Sequence, residues 1–255
     1  MFSNDTHAGL IIQRPNYTGL NAGLVGFWSF DGKDMSGDLS LDRSGQGNNG
    51  TLTNGPLRVK GKLGQALNFG GSNDYVNIGA PSSLDNIVTK TISAWIYPRS
   101  VGESNAGRIM DKNQGGIAGW YFATCSDPDG GSRCSAAGSS NALLYEHNFA
   151  SGSVGAWVTG NNTLTLNAWN HVVVTYSRSS TANNPVFYIN GVVRSGTSVG
   201  NQTGTAPSDT GLENTIGNRT DTAATFNGLI DDVRIYNRVL TADEIKRLYM
   251  IGGGN

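Results

Sequence analysis

Four aspartates, two near each end of the chain, carry the carboxylate ligands that calcium prefers. Asp31 and Asp42 precede Gly-rich segments, and Asp231 and Asp232 lie in a β-type run. Calcium takes roughly six to eight oxygen ligands, and the Gly/Asn segment 45–50 can offer backbone carbonyls at little steric cost. We therefore predict a calcium site formed by Asp31, Asp42 and Asp231, with Asp232 and the carbonyls near Asn48 as further ligands.

Strand periodicity supports the role of Asp231 in this calcium site. Asp231 shares its parity with Val233 and Ile235, so its carboxylate is predicted to point between two sheets, where it needs a partner. Ordinary structural roles remain open. Asp31 can cap a turn, Asp42 can form an Asx-turn with Ser44, and Asp231 can pair with Arg234 or Arg238.

Aromatic residues beside polar groups indicate a second kind of chemistry. Sugar rings stack their C–H faces on Trp and Tyr, while their hydroxyls need amide, carboxylate or Arg partners. One set of aromatic residues has polar neighbours in the sequence, such as Arg108, the segment 111–113 and Asn148. We predict that this group forms an exposed carbohydrate-binding face, made of Trp120, Tyr121, Tyr145, His147 and Trp157. We expect Trp28, Trp95 and Trp169 to lie in the core.

Catalytic patterns are weak in this sequence. Glycosidases need two carboxyl groups flanking the bond, and the glutamates (Glu103, Glu146, Glu213 and Glu244) are isolated. Glu146 lies beside His147, but neighbours on a strand point to opposite faces, so a solvated edge explains this pair. A lyase could use His147 or His171 with Tyr145, Tyr121 or Tyr188, yet the motifs expected of such an enzyme are missing. We expect no catalytic residues.

The two cysteines, Cys125 and Cys134, flank a polar segment that contains Asp, Pro, Gly and Ser. Such a short loop favours a disulfide and therefore an oxidising compartment, although a pair of free, exposed thiols remains open. The spacing excludes a CxxC redox or zinc motif.

Short β-type runs must position all these residues. They are separated by Gly, Asn, Ser and Asp clusters, which predicts an antiparallel sandwich or jelly roll. Asn190-Gly191 is the strongest hairpin signal. The ten predicted strands are 24–30, 66–69, 75–78, 91–97, 120–124, 142–146, 155–158, 171–176, 186–189 and 229–236.

One helix is predicted at the C-terminal end. Thr241 and Glu244 form a capping box, Leu240 and Ile245 can form a hydrophobic staple, and Gly252 ends the helix. Residues 1–22 are polar and unpatterned and are expected to be a tail or linker from something upstream. Residues 23–255 are expected to form one all-β domain.

Composition excludes several classes of protein. The 18 Lys and Arg against 19 Asp and Glu give a net charge of −1, which offers no electrostatic footprint for nucleic acid. No run approaches the roughly 18 apolar residues of a membrane-spanning helix, so membrane insertion is not expected. The 36 Gly without a collagen period fit a turn-rich β protein.

Several segments resemble the laminin-G-like jelly-roll domains of the concanavalin A-like lectin and glucanase superfamily. They are GLVGFWSFD (23–31) with DRSGQGNNG (42–50), GQALNF (64–69) with DYV (74–76), and FNGLIDDVRIYNR (226–238), joined by Trp95 and the segment 169–172. The resemblance covers about residues 23–250. It implies a two-sheet jelly roll, and in similar domains a structural calcium ties the N-terminal strand to the C-terminal one.

The expected function is a non-catalytic, lectin-like module that binds a poly- or oligosaccharide and contains calcium. We expect it to be secreted or at the cell surface, alone or as part of a larger surface protein. Two alternatives stay open because this superfamily hosts many functions. One is a polysaccharide-active enzyme, a hydrolase or lyase, and the other is a protein-binding adhesin domain.

Overall fold

The computed structural model describes residues 19–70, 72–126, 133–136 and 138–253, which form an all-β sandwich with two helices. The bounds of the elements are as follows: β1 (Leu24–Trp28), β2 (Met35–Ser36), β3 (Leu39–Ser40), β4 (Gly50–Thr53), β5 (Leu57–Lys60), β6 (Gln65–Phe69), β7 (Tyr75–Gly79), β8 (Thr89–Pro98), β9 (Arg108–Gln114), β10 (Ala118–Cys125), α1 (Arg133–Ala136), β11 (Ala142–Asn148), β12 (Val154–Thr159), β13 (Asn170–Ser177), β14 (Val186–Ile189), β15 (Val192–Arg194), β16 (Gly196–Ser198), β17 (Asn214–Ile216), β18 (Gly228–Tyr236) and α2 (Ala242–Ile251).

The strands form two antiparallel sheets. Sheet 1 has the order β15-β14-β13-β8-β18-β6-β5, and β1 also pairs with β18. Sheet 2 has the order β16-β12-β11-β10-β9-β17-β7-β4-β3-β2. Strands that are consecutive in sequence often pair with each other. The last strand, β18, lies between β8 and β6 in sheet 1 and also pairs with the first strand, β1.

The main core lies between the sheets, where both contribute inward side chains. Ile92, Ala94 and Ile96 point inward from β8, and Trp120 and Phe122 from β10. This period of two is the alternation that a half-buried strand requires. The predicted two-sheet jelly roll is therefore confirmed, although the structure adds further strands to the ten that the sequence indicates, including β9 and β17 inside sheet 2.

Local signals place the turn and the helix as predicted. Asn190 and Gly191 form the turn that joins β14 to β15. Both have a positive φ, 52° and 73°, as this two-residue hairpin turn requires. Helix α2 begins after Thr241, whose side chain accepts the Glu244 N–H while the Glu244 carboxylate accepts the Thr241 N–H.

Helix α2 packs on the outer face of sheet 1. Leu248 of α2 lies in one cluster with Val173 and Tyr236, and Leu20 belongs to the same cluster. Leu20 therefore packs against the domain, although it lies three residues before Gly23, where the domain is predicted to begin. This leaves the outer face of sheet 2 as the large surface that α2 does not cover.

Candidate functional site

The predicted exposed aromatic face is wrong, because the structure buries all of its members. Trp120, Tyr145, His147 and Trp157 are at most 1% exposed, and Tyr121 is 7% exposed. The cause is strand parity: four of the five side chains point inward from sheet 2, where Trp120 lies opposite His147 and Tyr145 opposite Trp157. These four side chains lie between the sheets, as does Trp28. Trp95 is instead buried on the outer side of sheet 1 against Tyr249 of α2, and Trp169 is half-buried.

The interior also places an imidazole beside a phenol. The rings of His147 and Tyr176 have centroids 5.6 Å apart. Burial lowers the pKa of His147 well below its usual range, and the positive charge of Lys90 lowers it further. Since both residues lie between the sheets and are at most 2% exposed, a polysaccharide cannot reach this pair.

Asp42 holds a loop in place and has no oxygen left for a metal. Its Oδ1 accepts the N–H groups of Phe27 and Ser44, and its Oδ2 accepts the Ser44 hydroxyl and the Asn48 N–H. The Asn48 carbonyl accepts the Trp28 indole N–H at 2.8 Å. The Asx-turn interpretation of Asp42 is therefore the one observed, and the Asp42 carboxylate, which already accepts four hydrogen bonds, does not fit as a calcium ligand.

Asp231 does not point between the sheets, because a β-bulge shifts the parity of β18. The register of β18 against β8 breaks between Asp231 and Arg234, and Asp232 has a φ of 53°. Ile230 remains in the core while Asp231 lies opposite Trp95, whose ring contacts Tyr249 of α2. Directly opposed residues share a face, so Asp231 lies on the outer side of sheet 1.

The buried carboxyl of Asp231 is only partly satisfied. Its Oδ2 accepts the N–H groups of Lys62 and Leu63, both at 2.9 Å, and its Oδ1 has no hydrogen-bond partner. Burial raises the pKa of Asp231 to about 8, and the charges of Asp232 and Asp31 add to the rise. Neither Arg234 nor Arg238 pairs with Asp231: Arg234 contacts Asp232, and Arg238 contacts Glu244.

A calcium site therefore fits only part of the predicted set. Asp31 uses one oxygen to accept the Gln65 N–H and lines a cavity of about 320 Å³ together with Asp34 and Asp232. Across residues 19–253, apart from the gaps stated above, no three His, Cys, Asp or Glu side chains are grouped so as to hold a metal ion. Asp31 and Asp231 remain the candidate ligands.

A row of charged side chains crosses the outer face of sheet 2. We call it the charged row; it consists of Arg108, Asp111, Tyr121, Arg133 and Glu146. Tyr121 lies opposite Asp111 on β9 and opposite Glu146 on β11. Tyr121 also belongs to a second cluster with Leu144 and Ala156, on the side of sheet 2 that faces away from the core.

Ion pairs and stacking connect the charged row along its length. The Arg108 guanidinium lies 3.5 Å from the centroid of the Tyr121 ring and donates to Asp111 Oδ2 at 2.8 Å. Tyr121 donates its hydroxyl to Glu146 Oε2 at 2.8 Å, and Arg133 Nε lies 2.5 Å from the same oxygen. Arg133 is the most exposed member, with 37% of its side chain accessible.

Burial sets the protonation of the charged row. It raises the pKa of Asp111 to about 6 despite the opposing effect of Arg108. It also raises the pKa of Tyr121, and the neighbouring Glu146 raises it further. Only Arg133 is well exposed, because the other four members of the row are 3–7% exposed, so a ligand would meet the Arg133 end of the row.

An open cavity lies beside Arg133. It has a volume of about 590 Å³ and is lined by Arg133, Gly152, Ser153, Val154, Val199, Gly200, Asn201 and Thr203. We call it the edge cavity, because it borders the start of β12 and the segment that follows the edge strand β16. A volume of roughly 300–1,000 Å³ is typical of small-molecule sites.

The disulfide fixes Arg133 next to the sheet. Cys125 ends β10 and bonds to Cys134 of α1, which confirms the predicted disulfide. Both cysteines are at most 1% exposed, so the expectation of exposed sulfur atoms is wrong. They pack against Leu144 and Val158, which lie on the outer face of sheet 2.

Removal of this bond should destabilise the domain. We expect the double variant Cys125→Ala, Cys134→Ala to lose about 2–3 kcal/mol of the free energy of unfolding, because the open loop gains entropy when unfolded. Urea unfolding measures this loss. Wild type treated with a thiol reductant serves as the control and should lose a similar amount. An unchanged midpoint in both would contradict the prediction.

The sequence indicates only part of the charged row. Tyr121 is among the predicted binding residues, whereas Glu146 is explained there as a solvated edge. Alternation along β11 carries the missed signal, because Tyr145 and His147 point inward and Glu146 must then point outward. Arg133 has no such signal, since the disulfide rather than strand periodicity brings it to the sheet.

Comparison with known families identifies the fold. The sequence family Laminin_G_3, described as concanavalin A-like lectin/glucanases superfamily, matches residues 69–246. The chain belongs to the concanavalin A-like lectin/glucanase superfamily. No curated protein sequence matches it significantly.

Solved structures in this superfamily share the fold at low sequence identity. Domain 4 of AbnA, an extracellular GH43 arabinanase from Geobacillus stearothermophilus in complex with arabinotriose, aligns with a TM-score of 0.60 and 19% identity over 89% of this chain and 98% of that chain. The binding domain of Paraclostridial Mosquitocidal Protein 1 aligns with a TM-score of 0.63 and 19% identity over 90% of this chain. A structure of botulinum neurotoxin type C, which interacts with two ganglioside molecules, aligns with a TM-score of 0.62 and 17% identity over 92% of this chain. This chain spans about half of both toxin chains, 52% in each case.

Because the superfamily includes glucanases, the two carboxylates of the charged row must be considered as an acid and base pair. Asp111 and Glu146 lie on β9 and β11, two strand spacings apart, which separates their backbones by about 9–10 Å. Asp111 is paired with Arg108, which opposes the rise of its pKa, and Glu146 is paired with Arg133. The raised pKa of Asp111 nevertheless suits a general acid, so product analysis belongs in any binding experiment.

Neither helix in the described part of the chain has the length and apolar character that crossing a membrane requires.

Proposed function

We propose that this chain is a non-catalytic carbohydrate-binding module that binds a poly- or oligosaccharide in the edge cavity and on Arg133, the exposed end of the charged row. The observation that carries the proposal is the open cavity beside Arg133, whose guanidinium group is held in place by the Glu146 carboxylate. We further propose that it acts outside the cell or at its surface, as a part of a larger protein.

The charged row is suited to recognising hydroxyl groups. Its planar guanidinium and carboxylate groups are held by one another, so little conformational entropy is lost when a ligand binds. Arg133 continues the row into the edge cavity, where Ser153, Asn201 and Thr203 add further polar groups. A chain of sugars could therefore extend from the sheet into the cavity.

The similar structures support a sugar ligand in general terms. The arabinanase domain was solved with arabinotriose, and the botulinum neurotoxin type C structure interacts with gangliosides. At these identities the comparison establishes the fold, and the ligand of this chain is our inference from the charged row. The disulfide supports an oxidising setting, because such bonds persist mainly outside the cytosol.

Calcium is a separate part of the proposal. We propose that Asp31 and Asp231 bind calcium near the start of β18, where the unpartnered Oδ1 of Asp231 would gain a ligand. Bound calcium would neutralise the two carboxylates, and it would connect the segment after β1 to the strand β18.

Glycan binding can be tested by affinity electrophoresis and calorimetry on a polysaccharide panel that includes arabinan and ganglioside oligosaccharides. We expect Arg133→Gln to weaken binding by about ten- to a hundredfold, because a hydrogen bond to a charged group contributes about 1.5–3 kcal/mol. Glu146→Gln should weaken it to a similar degree, since it removes the negative charge that holds the Arg133 guanidinium in place.

Arg194→Gln is the matched control, because Arg194 is exposed on β15 in the other sheet. Binding that is unchanged in Arg133→Gln and Glu146→Gln would contradict the assignment of the charged row. The products are analysed in the same samples. New reducing or unsaturated chain ends, lost in Asp111→Asn, would instead establish the polysaccharide-active enzyme.

A further inference from the structure

One end of the space between the sheets is polar rather than apolar. Lys90 and Tyr176 lie opposite each other on β8 and β13, and Tyr145 and His147 face them from β11 of sheet 2. The Lys90 ammonium lies 4.8 Å from the centroid of the Trp120 ring. All these side chains are buried, so the polar atoms are enclosed without bulk water.

Several of these atoms have no hydrogen-bond partner in the structure. They are Lys90 Nζ, Tyr145 Oη, Tyr176 Oη, His147 Nε2 and Asp209 Oδ2. Buried polar groups normally have partners, and a set without them points to a missing partner. Burial accordingly lowers the pKa of Lys90 to about 7, although Asp209 opposes the shift.

The charges at this end leave a cationic excess. Lys112 is neutralised by Asp85 at 2.7 Å and lies 3.5 Å from Asp209. In the described ranges, neither Lys90 nor Arg178 has a carboxylate oxygen within 4.0 Å. Arg178 interacts electrostatically with Lys90, His147, Tyr145 and Tyr176, so it lies close to the polar end.

A cavity opens to solvent where Arg178 lies. Its volume is about 250 Å³, and it is lined by Val88, Phe149, Arg178, Ser179, Ser180, Thr181, Gly204, Thr205 and Ala206. We call it the end cavity. Phe149 forms part of its wall and contacts the His147 ring at 5.4 Å between centroids, which places the cavity next to the polar end.

Arg178 has hydrogen-bonding capacity to spare. It donates one N–H to the Pro207 carbonyl and one to Asn86 Oδ1, both at 3.2 Å. A guanidinium group carries five N–H donors, so three remain for a ligand. The cavity thus combines a cation without a salt bridge, hydroxyl groups from Ser and Thr, and the apolar ring of Phe149.

We infer that the end cavity is a second ligand site that binds the carboxylate of an acidic monosaccharide, with Arg178 as its anchor. The cavity volume is close to that of one sugar ring, and Phe149 offers an apolar surface for the ring. This site is separate from the charged row, which lies on the outer face of sheet 2.

Titration with glucuronate, monitored by calorimetry and by protein NMR, tests the inference. We expect Arg178→Gln to weaken glucuronate binding at least tenfold, and Arg178→Lys to weaken it less because the charge is retained. Ser180→Asp should abolish binding, because it adds a negative charge to the cavity wall without removing the Arg178 bonds. Arg58→Gln, an exposed change on the far edge strand β5, is the matched control.

Glucose at the same concentrations is the neutral comparison, and acetate tests the carboxylate alone. Equal binding of glucose and glucuronate, or equal binding in wild type and both Arg178 variants, would overturn the inference. If acetate binds as tightly as glucuronate, the claim that the cavity recognises a sugar ring is overturned. Polysaccharide binding at the charged row is also measured in Arg178→Gln and should persist. The two proposed sites are therefore tested independently of each other.

Discussion

Replacing Trp157 by alanine should lower the free energy of unfolding by about 3–5 kcal/mol. The indole is enclosed between the sheets, where its ring lies 5.3 Å from Tyr176 and 6.3 Å from Tyr145. Its N–H donates to Asn184 Oδ1 at 2.8 Å. Truncation leaves a cavity lined by aromatic rings and removes the partner of a polar group, and both effects destabilise the folded state.

Urea unfolding and differential scanning calorimetry measure this loss, which should lower Tm by about 6 °C or more in a chain of this size. Trp169→Ala is the matched control, because Trp169 is half-buried and contacts Tyr97 near the surface. It should cost clearly less. A ligand-binding Trp157 would behave differently, since its removal would weaken glycan binding with a stability loss below about 1 kcal/mol.

Local sequence signals predict the architecture of this domain well. The Asn190-Gly191 turn and the Thr241 capping box each depend on neighbours in sequence, and both appear in the structure as predicted. The family resemblance adds the two-sheet arrangement, because pairing of β1 with β18 joins segments that lie at opposite ends of the chain.

The candidate site is harder to predict because it depends on which face of sheet 2 is outward. The sequence places Tyr121 and Tyr145 among polar neighbours, but nothing local distinguishes the core face from the outer face. Tyr145 points inward and Tyr121 outward, and both faces are covered by other residues. An aromatic residue beside polar ones is therefore a poor guide to exposure in a sheet that is packed on both sides.

The calcium prediction illustrates a different difficulty. Parity predicts an inward Asp231, and one bulge residue, Asp232, reverses that orientation. The backbone N–H groups that hold Asp231 come from Lys62 and Leu63, more than 160 residues earlier. Neither the bulge nor such a long-range contact has a signature in the strand itself, so strand periodicity misplaces this carboxylate.

Asp231→Asn should stabilise the domain at alkaline pH when calcium is absent. The folded carboxyl, with a pKa of about 8, holds its proton long after the unfolded one loses it near pH 4. Between these values the folded state binds more protons, so the stability of wild type falls as pH rises, by up to about 1.4 kcal/mol per pH unit. Asparagine cannot ionise, and its Oδ1 can still accept the Lys62 and Leu63 N–H groups.

Thermal unfolding in chelator from pH 4 to pH 9 tests this expectation, with Asp243→Asn on the surface of α2 as the matched control. Wild type and Asp231→Asn should have similar stability at pH 4 and diverge above it. A difference that does not change with pH would contradict the effect of burial. Added calcium then tests the metal proposal. If Asp31 and Asp231 bind calcium, the ion should restore the alkaline stability of wild type, because it takes the place of the proton on the Asp231 carboxylate. Asp231→Asn lacks this carboxylate and should be unaffected.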